Sequence, residues 1–254
     1  MSIDIYGDGL YPEQQVFKYP KAGESNSNVS LHIYDLASKE ASTTPLGALG
    51  QHYLPRLQWT HDPHSLVVTS INRHQNNLNL ILVNAKENTC SLLLNETDKA
   101  YVDIRDDLTF LKDNSFIWTS ERDGFNHLYH YSDDGKLKNQ ITRGPWEVTS
   151  YYGFDPETNR IFYQSTEEGS INRSVYSVTL NGGKKKKLSR LAGENAAAFS
   201  KSFRYFVNTH SSETHPTSYS LIDARSGREL QVILSNEALA DKLEDYNLGK
   251  KEFS

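Results

Sequence analysis

From Trp59 onward the chain alternates between short runs with apolar side chains at every second position and polar turns of three to five residues. Leu128 and His130 alternate with Tyr129 and Tyr131, the period of two that marks a strand. Four aromatic residues, Trp59, Phe110, Phe154 and Phe199, stand 51, 44 and 45 residues apart, and each introduces the same succession of features. A polar turn comes first: His61-Asp62-Pro63-His64, Lys112-Asp113-Asn114, Asp155-Pro156-Glu157-Thr158-Asn159 and Ser200-Lys201-Ser202. A β-type run ending in a hydroxyl residue follows, at Leu66–Ser70, Phe116–Ser120, Ile161–Ser165 and Tyr205–Thr209. After a second polar hairpin comes another strand, at Leu78–Val83, His127–Tyr131, Val175–Leu180 and Ser218–Asp223. The next turns contain Asp134-Gly135, Gly182-Gly183 and Ser226-Gly227, pairs that tolerate the positive φ of tight hairpins, and a last strand closes each copy.

Four strands in about 45 residues describe a blade of a β-propeller. A β-sandwich also spaces its strands regularly, but the same register repeated four times favours an all-β propeller. The repeats fall near 53–97, 101–144, 148–190 and 193–234, and 29–46 reads as the outer half of one more blade. Residues 1–28 form a segment entering the propeller, and the only expected helix is Asn236–Leu243. The second strand of each repeat should lie inside its sheet, which buries Ile117, Phe162 and Phe206. An arc of about four and a half blades leaves open flanks, so the chain reads as cut from a larger ring. Its flank at Leu31–Leu36 is expected to turn its apolar face outward, to be covered by residues 1–28 or by a second copy in a homodimer.

Composition narrows the function. Aromatic residues make up 11% of the 254, too many for a disordered chain. A net charge of −5 argues against binding nucleic acid by neutralising phosphates. One cysteine, Cys90, makes neither an internal disulfide nor a zinc site. No stretch is long and apolar enough for a membrane span, and the N-terminus has no signal-peptide pattern. His61 with His64, and His210 with His215, read as surface-turn histidines rather than metal ligands, and no phosphate loop is present; no cofactor or metal is expected. Lys184 to Lys187 read as a solvated outermost strand whose charge discourages edge pairing.

Three runs carry a resemblance. Lys18-Tyr19-Pro20-Lys21-Ala22-Gly23-Glu24 is the first, followed by Asn26 and Asn28-Val29. The second is Trp118-Thr119-Ser120-Glu121-Arg122-Asp123-Gly124-Phe125-Asn126-His127-Leu128-Tyr129, and the third Thr142-Arg143-Gly144-Pro145-Trp146-Glu147-Val148. In order and spacing they resemble the propeller domain of dipeptidyl peptidase IV-like serine peptidases, and Asp106-Asp107-Leu108-Thr109-Phe110-Leu111 is similar to the bacterial branch. The resemblance implies the later part of an eight-bladed propeller that caps an α/β-hydrolase domain and orients a peptide's free N-terminus. It implies a periplasmic or secreted parent that releases dipeptides after Pro or Ala by serine chemistry without a cofactor. The chain has no Gly-x-Ser-x-Gly elbow, so the nucleophile is expected in a hydrolase domain beyond Leu248–Phe253, and no catalytic residue is expected here.

Arg105, in Tyr101-Val102-Asp103-Ile104-Arg105-Asp106, is the one substrate-binding candidate. The resemblance implies a pocket arginine near it, at the start of a blade, although Asp103, Asp106 and Asp107 could neutralise it instead. Glu121-Arg122-Asp123-Gly124 reads as a tight hairpin whose charges bond to neighbouring blades. Glu167-Glu168 falls in a hairpin turn and does not take the role of the family's amine-binding glutamates, which precede the Tyr-Pro-Lys-Ala-Gly run. The alternative function is a non-catalytic propeller that serves as a protein-interaction module.

Overall fold

The computed structural model describes residues 1–19, 21–51 and 53–244; Pro20 of the first signature and the Leu248–Phe253 stretch lie outside the described residues. It begins with two hairpins, β1 (Ser2–Ile5) with β2 (Glu13–Val16) and β3 (Leu31–Tyr34) with β4 (Ala41–Thr44). Four antiparallel four-stranded sheets follow. The first contains β5 (Tyr53–Trp59), β6 (Ser65–Ile71), β7 (Asn77–Asn84) and β8 (Thr89–Thr97). The second contains β9 (Thr109–Phe110), β10 (Phe116–Ser120), β11 (His127–Tyr131) and β12 (Leu137–Gln140). The third contains β13 (Val148–Asp155), β14 (Arg160–Ser165), β15 (Ser174–Thr179) and β16 (Lys186–Lys187). The fourth contains β17 (Glu194–Phe199), β18 (Tyr205–Ser211), β19 (Ser218–Asp223) and β20 (Arg228–Leu234). Each sheet is ordered as the chain runs, the meander of a propeller blade. A helix, α1 (Glu237–Glu244), closes the described chain one residue beyond the expected range, with Asn236 in the left-handed conformation before it.

The period of two explains why the sheets stack face to face. In the second sheet Phe116, Trp118, Tyr129 and Tyr131 point toward Val67, Leu78 and Leu80 of the first, while Ile117 and Leu128 point toward Ile161, Tyr163 and Tyr176 of the third. Phe162 and Val175 of the third sheet meet Phe206 and Ile222 of the fourth. Covered on both faces, Ile117, Phe162 and Phe206 are at most 1% exposed, as the repeat register requires. Aromatic stacking adds to the area buried: Phe116 lies parallel to Tyr131 with ring centres 5.1 Å apart. Turns lock neighbouring sheets as well. Gly135, between β11 and β12, has φ +80°, and a Cβ there would stand 1.8 Å from the Leu93 carbonyl oxygen on β8.

The flank at β3 differs from the sequence expectation. Leu31 is buried and Ile33 half-buried against Leu66, Val68, Ile81 and Val83, so the apolar face is turned onto the first full sheet. The reason is that the near face of β6 and β7 also needs an apolar partner, and the nearest one in sequence is this hairpin. Leu36 and Tyr34 remain exposed. Every residue of strands β1 and β2 is exposed, so these strands do not supply the expected cover.

One polar expectation gains detail and another is corrected. Lys185 and Lys187 are ion-paired with Glu167 and Glu168, and the Lys186 ammonium donates to the Arg225 and Ser226 carbonyls of the fourth sheet. The run does form the outermost strand of its sheet, with Lys184 and Lys185 exposed, and the hairpin carboxylates add ion pairs that tie that strand to its neighbours. His210 is buried on β18, with its Nε2 2.8 Å from the Ala192 carbonyl oxygen, and is not a surface-turn residue.

Candidate functional site

Antiparallel order brings the β8–β9 connection and the β10–β11 hairpin to the same end of the sheets. The connection is built from its own polar residues. The Asp98 carboxylate accepts hydrogen bonds from the amides of Ala100 and Tyr101 at 2.7 and 3.2 Å, which hold its pKa below the ordinary range. The Val102 amide donates to the Gln75 carbonyl at 2.7 Å, tying the loop to the first sheet. The Thr119 hydroxyl donates to Asp107 at 2.9 Å, fixing the far end of the loop to β10; burial nevertheless raises the Asp107 pKa.

Arg105 is held between these anchors, in the loop ahead of β9 rather than on an inner strand. Its Nη2 donates to Glu121 at 2.5 Å and its Nη1 lies 3.4 Å from Asp103. The side chain is 23% exposed. Glu121 can reach it because the hairpin turns tightly at Gly124, whose φ is +99°. The neighbouring Arg122 crosses to the first sheet and pairs with Glu96 on β8. Its guanidinium also lies over the Tyr129 and Tyr131 rings, 4.9 and 5.6 Å from their centres. Burial pushes the Tyr131 phenol up to about 12.

Arg105 lies at the junction of three cavities. One, of about 50 Å³, has Trp118, Tyr101 and Glu121 in its wall. A second, of about 70 Å³, adds Arg56 and Leu108. The third, of about 320 Å³, opens beside Asp107, Asn126 and Tyr151. Trp118 borders the first two, is 2% exposed, and its indole N–H has no acceptor. The site therefore joins an aromatic wall to fixed hydrogen-bond donors and carboxylates, which suits a small polar ligand with an apolar part. Among the described residues no group of three or more His, Cys, Asp or Glu side chains is placed to hold a metal ion.

The sequence pointed to Arg105 and to the bonding of Glu121 and Arg122, and the structure brings all three together. It did not point to Glu96, and it singled out Trp118 only as the opening residue of the second family-like run. Glu96 is far from Arg122 in sequence and meets it only through the stacking of two sheets. Apart from that run, Trp118 reads as one more apolar strand position, with nothing to mark it as part of a cavity wall.

Residues 1–217 match the family described as the dipeptidyl peptidase IV N-terminal region. The chain belongs to that family. Among curated relatives, it is 27% identical to dipeptidyl peptidase 4 of Trichophyton equinum and covers 33% of that protein with 96% of its own length. It is 30% identical to dipeptidyl peptidase 4 of Arthroderma otae, with the same coverage of 96% and 33%. Among solved structures, it superimposes on Porphyromonas gingivalis dipeptidyl peptidase 4 with a TM-score of 0.86 and 39% identity. That superposition covers 96% of this chain and 35% of the other. The chain thus spans about a third of the length of the dipeptidyl peptidase 4 relatives it matches. Its repeated sheets are blades of the propeller in that N-terminal region, and the Arg105 site lies at one end of two adjacent blades.

Proposed function

We propose that this chain is the substrate-orienting propeller of a dipeptidyl peptidase IV-like serine exopeptidase, which releases N-terminal dipeptides, typically after Pro or Ala, outside the cytoplasm. The observation that carries this reading is the placement of Arg105, held by Glu121 and Asp103 where three cavities meet, in a chain of this family. With two of its nitrogens engaged by carboxylates, the guanidinium keeps further N–H groups for a peptide carbonyl. A fixed donor of this kind orients the substrate, and orientation is what the serine chemistry of a hydrolase domain needs from the propeller. Within this chain no side chain is assigned to bond breaking: the blades bind the peptide, direct it and limit the access of water. Bond cleavage belongs, in this reading, to a Ser-His-Asp constellation on the hydrolase domain.

The test is hydrolysis of Gly-Pro p-nitroanilide. A protein comprising this chain and its hydrolase domain should release nitroaniline, and the chain alone should not, since losing triad members costs several orders of magnitude in rate. Turnover by the purified chain alone overturns the division of labour. A full-length protein that binds partners but cleaves no Xaa-Pro or Xaa-Ala amide establishes the interaction module instead.

A further inference from the structure

Arg105 is the residue that first suggests an anion-binding site, yet the charge around it has the opposite sign. The walls of the three cavities contain six carboxylates (Glu96, Asp98, Asp103, Asp106, Asp107 and Glu121) against three guanidiniums (Arg56, Arg105 and Arg122). Each guanidinium is already engaged: Arg56 by Asp106, Arg105 by Asp103 and Glu121, and Arg122 by Glu96. Asp98 is held ionised by two backbone amides; the adjacent Lys99 also acts on it but does not line the cavity. A carboxylate entering here meets no unpaired guanidinium, and the N–H groups that Arg105 keeps free lie beside Asp103 and Glu121, whose charge repels it. An ammonium or guanidinium head group meets unbalanced negative charge, strengthened by the low-dielectric wall of Trp118.

We infer that the Asp103–Arg105–Glu121 cluster makes this site selective for charge: it accepts peptides whose N-terminal residue carries a lysine or arginine side chain and rejects those carrying aspartate or glutamate. The inference rests on the reading of Arg105 as a substrate-orienting residue and adds a specificity to it. In that arrangement Arg105 serves as a donor to neutral carbonyl oxygen, and Glu121 both positions it and sets the sign of the field. Discrimination of this kind works by repulsion of the wrong ligand as much as by attraction of the right one.

The experiment compares three peptides, Lys-Pro, Gln-Pro and Glu-Pro, in two ways. As p-nitroanilides with the full-length enzyme, the Lys and Glu substrates should differ in kcat/KM by about tenfold at low salt, and the ratio should shrink as added salt screens the field. As unlabelled Xaa-Pro-Gly-Gly peptides titrated into this chain and followed by the indole resonance of Trp118, they should bind in the order Lys, Gln, Glu. Glu121→Gln should narrow the Lys-to-Glu ratio at least threefold in both measurements, and Glu121→Asp should restore it. A variant that merely disturbs the fold would lower all three values together and keep the ratio. Equal values for Lys and Glu, or a ratio unmoved by Glu121→Gln, overturn the inference. An enzyme inactive on all three amides overturns the functional reading instead, and the titration of the chain then decides the charge selectivity by itself.

Discussion

Phe162→Ala should lower the unfolding free energy by about 3–5 kcal/mol, the usual cost of removing a large side chain from a core that cannot collapse around the space. Phe162 is 1% exposed on β14, the second strand of the third sheet. Its ring lies parallel to Phe203 with centres 5.4 Å apart and is tilted against Phe199 at 4.7 Å. Phe203 cannot easily move in to fill the gap. Its own ring is seated against Gly153, where even a Cβ would come within 2.5 Å of it. The cavity would therefore remain between the third and fourth blades, on the seam that also contains Val175, Phe206 and Ile222. Urea unfolding followed by tryptophan fluorescence measures the loss. A cost below about 1 kcal/mol would mean that these two sheets do not stack as described, because so small a value is typical of surface substitutions.

If the full-length protein is the proposed peptidase, Arg105→Gln should reduce its kcat/KM on Xaa-Pro amides by about 10- to 100-fold. Most of the loss should appear in KM, as expected for an interaction that the bound substrate and the transition state share. Glutamine cannot reproduce the forked guanidinium, and its side chain leaves Asp103 and Glu121 facing each other without the cation between them. Arg105→Lys should rescue little, since an ammonium offers a point charge in place of a planar fork. A pure loss of kcat with KM unchanged would place Arg105 in the chemistry rather than in binding. No change in either would reduce it to a counter-ion for its acidic neighbours.

Much of the fold could be read from the chain because blades are local objects. Each strand pairs with the next in sequence, so the turn chemistry at Asp134-Gly135 or Ser226-Gly227 and the alternation along His127–Tyr131 specify register without long-range information. The contacts between blades were harder to read. The inward turn of Leu31 and Ile33 depends on which face of β6 and β7 still needs cover, and that is a property of the stack. The same holds for polar residues. Lys185 and Glu167 are 18 positions apart, and neither motif nor spacing links them; the β14–β15 hairpin brings the carboxylate over the edge strand. The site was half legible. Arg105 and Glu121 lie on loops whose residues break the strand pattern and so stand out, whereas Glu96 and Trp118 sit on strands and look like ordinary members of the repeat.

The most direct measurement is a crystal structure of the full-length protein with an uncleaved Lys-Pro peptide analogue bound. The expected result is a carbonyl oxygen of the N-terminal residue about 3 Å from an Arg105 nitrogen, with the lysine ammonium directed toward Asp103 and Glu121. A ligand seated elsewhere in the propeller, with the Arg105–Glu121 pair unaltered and solvent alone beside Trp118, would contradict it.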